Sequence, residues 1–187
     1  MRQKTIGALA TTAALALAVL GPASALAATT TTSVAIAGGT LDYTTPLTAG
    51  NFPATTLTGL QQAKSANISP YTVTDSRGGS AGWNLTIAAS TFTSGLNTLP
   101  AGSLLMTLPP VPTTTLGNLG IAPVPVATTA IDNATTQKFV TAAAVALGGG
   151  GAWTFTPLTG ALTLTVPPAV APGTYTSTIT TTLATGP

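Results

Sequence analysis

The 187-residue chain contains no cysteine, no histidine and no glutamate, and its only acidic residues are Asp42, Asp75 and Asp132. Without cysteine there is no disulfide framework and no thiolate metal site. Without histidine there is no imidazole ligand, no Cys-His pair and no Ser-His-Asp triad. Charge is scarce, at 4% of residues, and aromatics make up 5%. Glycoside hydrolysis needs two carboxyl groups across one bond, whereas the three aspartates are widely separated in sequence and each stands beside turn residues. An aspartate bonding its own turn backbone is the ordinary role at such positions. Neither a catalytic site nor a cofactor or metal site is expected.

The few charges are unevenly placed. Arg2 and Lys4 precede an apolar run from Ile6 to Leu20, followed by Gly21, Pro22 and the small-residue pattern Ala25-Leu26-Ala27. This is the layout of a secretory signal peptide, and the run is shorter than the ~20 residues a spanning helix needs. Residues 1–27 are expected to be a helical signal removed on export. Residues 28–187 then form one secreted domain, with no membrane attachment after cleavage. Two of the five positive charges leave with the signal, and Lys64, Arg77 and Lys138 balance the three aspartates. The precursor's basicity is therefore an export feature and gives no support for a nucleic-acid surface. The remaining length suits one domain with a real core.

What is abundant is alternation. Short period-2 segments separated by Gly, Pro and Asn read as an all-β protein, an antiparallel β-sandwich. Candidate strands are Ser33–Ala37, Thr40–Tyr43, Tyr71–Thr74, Trp83–Ala88, Leu104–Leu108, Trp153–Thr156, Leu162–Val166 and Tyr175–Leu183. Trp83, Leu85 and Ile87 fall on one face of their strand, with Asn84, Thr86 and Ala88 opposite. Leu162, Leu164 and Val166 share a face in the same way, as do Tyr175, Ser177, Ile179, Thr181 and Leu183. Half-buried strands of this kind belong to sheets with one side in water. Threonine dominates the polar positions, where its β-branch suits the pleat and its hydroxyl wets an almost uncharged surface. Such edges lack the usual lysine guards, and prolines 157, 167, 168 and 172 stand at strand ends in their place.

Several stretches allow two readings. Leu108–Pro125 is proline-rich and reads as a long ordered loop, since neither half of the chain is large enough to close a sandwich alone. In Asp132–Gly151, Asp132 or Asn133 would cap a helix through the alanine run. The loop Asp75-Ser76-Arg77-Gly78-Gly79-Ser80 is a poor calcium site, because Arg77 stands where a ligand is needed. Arg77 is either a surface partner of Asp75 or a fork for the carboxylate or phosphate of a polymer. Trp83 with Leu85, echoed by Trp153 with Phe155, either fills the core or forms a platform for a sugar ring. Two such pairs look more like two sheets feeding one core.

The stretch VTDSRGGSAGWNLTIAASTF, Val73 to Phe92, resembles the signature of the WxL domains of Gram-positive bacterial surfaces. In that signature a strand ends in Thr-Asp-x-Arg-Gly and resumes after a glycine with Trp-x-Leu. Here the positions are Thr74, Asp75, Arg77 and Gly78, then Gly82, Trp83 and Leu85. GGGGAWTF from Gly148 resembles the family's glycine-rich approach to a tryptophan, and the run from Leu162 to Pro187 resembles its closing strands. One position departs: Thr181 stands where the family has a second tryptophan, while Leu183 is retained.

The resemblance implies a secreted protein of the cell wall or cell surface that attaches non-covalently to peptidoglycan, together with other surface proteins. It makes Asp75, Arg77, Gly78, Trp83, Leu85 and Leu183 candidates for wall binding or core. It also implies strand and loop, not helix, around Phe139–Val145. No sorting motif with an apolar segment and basic tail precedes Pro187, so covalent anchoring is not expected. The alternative is a self-assembling or partner-bound structural subunit that contributes a sheet edge to a surface layer.

Overall fold

Where apolar and hydroxyl side chains alternate, the chain forms strands. The computed structural model describes residues 30–107, 109–114 and 118–187, and among these residues there are thirteen strands and no helix. The expected signal peptide lies outside the described residues. Residues 30–35 belong to a separate N-terminal unit and carry no regular structure. All strands lie in the unit Ile36–Pro187.

In chain order the strands are β1 (Leu41–Thr45), β2 (Gln62–Ala66), β3 (Tyr71–Asp75), β4 (Trp83–Ala89), β5 (Thr93–Ser94), β6 (Asn97–Thr98) and β7 (Leu104–Met106). They continue with β8 (Thr113–Thr114), β9 (Val124–Pro125), β10 (Gln137–Ala142), β11 (Gly151–Phe155), β12 (Leu162–Val166) and β13 (Ile179–Thr185). Three sheets carry the fold, in the orders β1-β3-β11-β8, β13-β4-β10-β9 and β2-β12-β7, and β5 pairs with β6 in a small hairpin. Every strand pairing is antiparallel.

The inner faces of the three sheets feed one apolar cluster. Tyr71, Val73, Trp153 and Phe155 come from the first sheet, Trp83, Leu85, Ile87 and Phe139 from the second, and Leu104, Leu162 and Leu164 from the third. This is the antiparallel sandwich expected from the alternation, with its solvent side supplied by threonine. Central strands show the period most clearly: β3 buries Tyr71, Val73 and Asp75 and leaves Thr72 and Thr74 half-exposed. In β10 the register against β4 shifts between Lys138 and Val140. The extra residue of this bulge lets adjacent Phe139 and Val140 both turn inward. At the cluster's centre Tyr71 stacks on Phe155 at 4.8 Å and 7°, and Phe139 lies tilted 5.9 Å away.

The structure corrects three expectations. Ser33–Ala37 alternates but is no strand: Val34 and Ile36 are 81% and 89% exposed. A strand needs a partner for its backbone groups, and β3 ends at Asp75, opposite Leu41. The long last strand expected from Tyr175 begins regular pairing only at Ile179, preceded by an isolated bridge from Thr176 to Thr93. The proline-rich Leu108–Pro125 loop contains two short edge strands, β8 and β9. Of the two readings of Asp132–Gly151, the strand and loop implied by the family resemblance is the one observed: β10 occupies Gln137–Ala142, and no helix occurs among the described residues.

Candidate functional site

The motif residues occupy one turn and the strand after it. β3 delivers Asp75 to its end, where the chain bends through Ser76 and Arg77. Asp75 Oδ1 accepts from the Arg77 backbone N–H at 3.1 Å and from Nε at 2.9 Å, while Oδ2 accepts from Nη2 at 2.8 Å. Arg77 Nη2 also donates to the Gly82 carbonyl at 2.8 Å, and Nη1 reaches Thr185 Oγ1 at 3.3 Å. The guanidinium therefore ties the turn to the start of β4 and the end of β13. With its side chain 22% exposed and Asp75's 7%, it is a clamp and not a free fork for a ligand. The paired guanidinium holds the Asp75 carboxyl below the usual carboxylate range, against burial, which opposes the shift. Gly78 follows at φ 69°, a backbone angle that disfavours any side chain.

Trp83 and Leu85 are fully buried, so the platform reading of this pair does not hold. Trp83 Nε1 donates to the Gly149 carbonyl at 3.1 Å, and Trp153 Nε1 donates to the same oxygen at 3.0 Å. One carbonyl with two lone pairs satisfies both buried indoles. Gly149 has φ 68°, and a Cβ there would sit 2.4 Å from both Trp83 Nε1 and the Ala142 methyl. The glycine run before Trp153 is thus the seat of a two-tryptophan lock. Sequence reasoning registered the run and both tryptophans but not their meeting, which joins positions 66 residues apart.

Leu183 lies opposite Leu85 in the β13–β4 register and is half-buried against the core. Two positions earlier, Thr181 faces the Tyr43 hydroxyl, which burial pushes to a higher pKa. That hydroxyl also accepts from the Leu47 N–H at 3.0 Å. Polar Tyr43 and Thr181 therefore meet at the place where the family pattern has its second tryptophan.

The other carboxylates are placed differently from one another. Asp132 is fully buried and does not serve its own turn. Its Oδ1 accepts from the Gly102 and Leu104 N–H groups at 3.0 Å each, and its Oδ2 from Ser103 N–H at 3.1 Å. Asp42 is exposed on β1. On the outer sheet face threonines bond across strands, Thr44 to Thr74 at 2.9 Å and Thr72 to Thr154 at 3.1 Å. Beside the motif a shallow recess of about 330 Å³ is bordered by Ser76, Gly79, Asn118 and Leu119.

The motif's charges and indoles are thus satisfied inside the molecule, and the surface around them is hydroxylated and nearly uncharged. No curated protein and no solved structure matches the chain. The family model described as "WxL domain surface cell wall-binding" matches residues 29–187. The chain therefore belongs to the WxL family of surface cell-wall-binding domains.

Proposed function

We propose that the chain is exported with residues 1–27 removed, and that residues 28–187 attach non-covalently to peptidoglycan without performing chemistry. The observation that carries this reading is the inward commitment of Asp75, Arg77, Trp83 and Leu85, combined with membership of a wall-binding family. Asp75, Arg77, Trp83 and Leu85 build the domain, so the exposed hydroxyls and loops are what remain to meet the wall. Of the three carboxylates, Asp75 and Asp132 are engaged by internal donors. That leaves Asp42 alone on an exposed strand position, whereas paired-carboxylate hydrolysis needs two groups. Retention then comes from many weak neutral contacts. In co-sedimentation with purified sacculi the protein is expected in the pellet at both low and high salt, because uncharged contacts are not screened. Full recovery in the supernatant at both salt levels overturns the reading, and so does a turnover abolished by substituting Asp42.

A second reading, a structural subunit of a surface complex, is favoured by one feature. β13 is the outermost strand of its sheet, and its sequence Ile179–Thr185 contains neither proline nor charge to guard the edge. Size-exclusion chromatography at micromolar concentration separates the two, since an assembling subunit elutes above the monomer.

A further inference from the structure

Two recesses of about 590 and 730 Å³ lie side by side and share Phe52, Leu164, Thr174 and Tyr175, so they form one trench. Each is within the roughly 300–1,000 Å³ of ordinary ligand sites. The trench exists because the sandwich is open along one seam: its floor comes from Leu162 and Leu164 of β12, while Ile179 on its far side belongs to β13 in a different sheet. One wall is the strand-free segment 46–61, and the other is the proline-bearing stretch before β13. A connection of that length without helix or strand is uncommon, and is usually either functional or a disordered linker. It is also held in place, by Gly50 N–H to the Asn67 carbonyl and Ser69 N–H to the Thr48 carbonyl near one end, and by Gln62 Nε2 to the Thr56 carbonyl near the other.

We propose that this trench binds an uncharged glycan chain, the sugar backbone of peptidoglycan; the assignment rests on the wall-attachment reading above. Phe52 and Tyr175 are half-buried and line both recesses, and Phe52 meets Phe92 edge to face at 5.9 Å, fixing its ring. Sugar rings present apolar C–H faces to such aromatics and hydroxyl and amide groups to a polar rim. The rim has those counterparts: Asn51 and Thr174 are exposed and find no hydrogen-bond partner among the described residues. Among the described residues, no Asp, Glu, Lys or Arg lines either recess. A phosphate polymer would find no counter-charge there, and the charged ends of stem peptides would be desolvated without compensation. The glycan backbone, with its lactyl groups tied up in amide bonds, carries no charge.

The test uses the full secreted chain, a β-1,4-linked N-acetylglucosamine hexamer as soluble probe, and sacculi before and after removal of phosphate polymers. Amide shifts on titration with the hexamer are expected to cluster at Phe52, Phe92 and Tyr175. Tyr175→Ala and Thr174→Arg should each weaken hexamer binding about tenfold. Leu119→Arg, at the recess beside the motif, should bind like the parent. Thr174 is exposed and unpartnered, so Thr174→Arg keeps the test informative where Tyr175→Ala disturbs the loop, whose carbonyl at Ala171 accepts the Tyr175 hydroxyl. Retention on stripped sacculi, reduced by Thr174→Arg, supports the proposal. Retention on sacculi without any hexamer shift in the trench, unaltered by Thr174→Arg, overturns the trench and leaves wall attachment standing. Retention lost on stripping the phosphate polymers also overturns it. Trench shifts with no sacculus retention support the sugar site and overturn wall attachment.

Discussion

At the scale of single residues, the informative groups are those whose polar atoms are buried. The Gly149 carbonyl serves two indoles, and its left-handed backbone leaves no room for a side chain. Gly149→Ala is expected to lower stability by roughly 2–4 kcal/mol, through backbone strain and displacement of Trp83; urea unfolding followed by tryptophan fluorescence measures it. Tyr71 is the converse case. Its ring is central to the aromatic stack, but its hydroxyl is buried and has no hydrogen-bond partner among the described residues. Removing an unsatisfied buried hydroxyl relieves its desolvation cost. Tyr71→Phe is expected to be neutral or stabilising by up to about 1 kcal/mol, and a clear loss of melting temperature would refute that account of the site.

At the scale of elements, how much could be read from the sequence depended on which strand supplied the pattern. β12 is legible from its alternation with threonine: Leu162 and Leu164 are buried, and Val166 packs half-buried against the same core. β2, Gln62–Ala66, carries almost no signal; it is a strand because β12 offers it a ladder, not because its side chains demand one. Ser33–Ala37 is the opposite case, with pattern but no ladder. In β13 the pattern survives at reduced amplitude: Ile179, Thr181 and Leu183 are half-buried, while Thr180 and Thr182 are exposed. Leu183→Asp is accordingly expected to cost about 2 kcal/mol or more, against within about 0.5 kcal/mol for Thr182→Asp. Equal effects in thermal unfolding would mean that β13 does not present a fixed face to the core.

At the scale of the whole molecule, scarcity of charge governs the response to pH. The chain has no histidine, so no side chain with an unperturbed pKa titrates between about pH 5 and 8. The Asp75 carboxyl is held below its ordinary value of 3.8 in the folded state, chiefly by its Arg77 hydrogen bonds. Its stabilisation is therefore full above that value and is lost as pH falls through the folded pKa, where the unfolded chain binds more protons. Burial pushes the Tyr71 phenol above its ordinary 10.0, with Tyr43 adding to the shift. The folded state then holds that proton more tightly, and stability declines as pH rises past 10.0. Melting temperature should be level between these limits. Asp75→Asn should reduce the acid limb, and Tyr71→Phe the alkaline one.

The family motif and the candidate site were legible to different degrees. Asp75, Arg77 and Trp83 stand out because they are rare residue types, set at fixed spacing with Thr74, Gly78 and Leu85 in a chain dominated by threonine and alanine. Whether they face solvent is not contained in that spacing, since Trp-x-Leu puts both side chains on one face without saying which face is wet. The trench as a site gave no sequence signal, because Phe52, Phe92 and Tyr175 come from three distant segments.

Sequence alone determined the all-β class, the absence of thiol and imidazole chemistry, and the family, because these depend on composition and on periods within a few residues. The tertiary structure decided that Arg77 closes on Asp75 and Gly82, that both indoles share one carbonyl, that Asp132 serves the backbone at 102–104, and that a neutral trench opens between two sheets. Each of those depends on which strands lie side by side. Long-range pairing is set by the combined burial of the whole core, a quantity no local stretch of sequence carries.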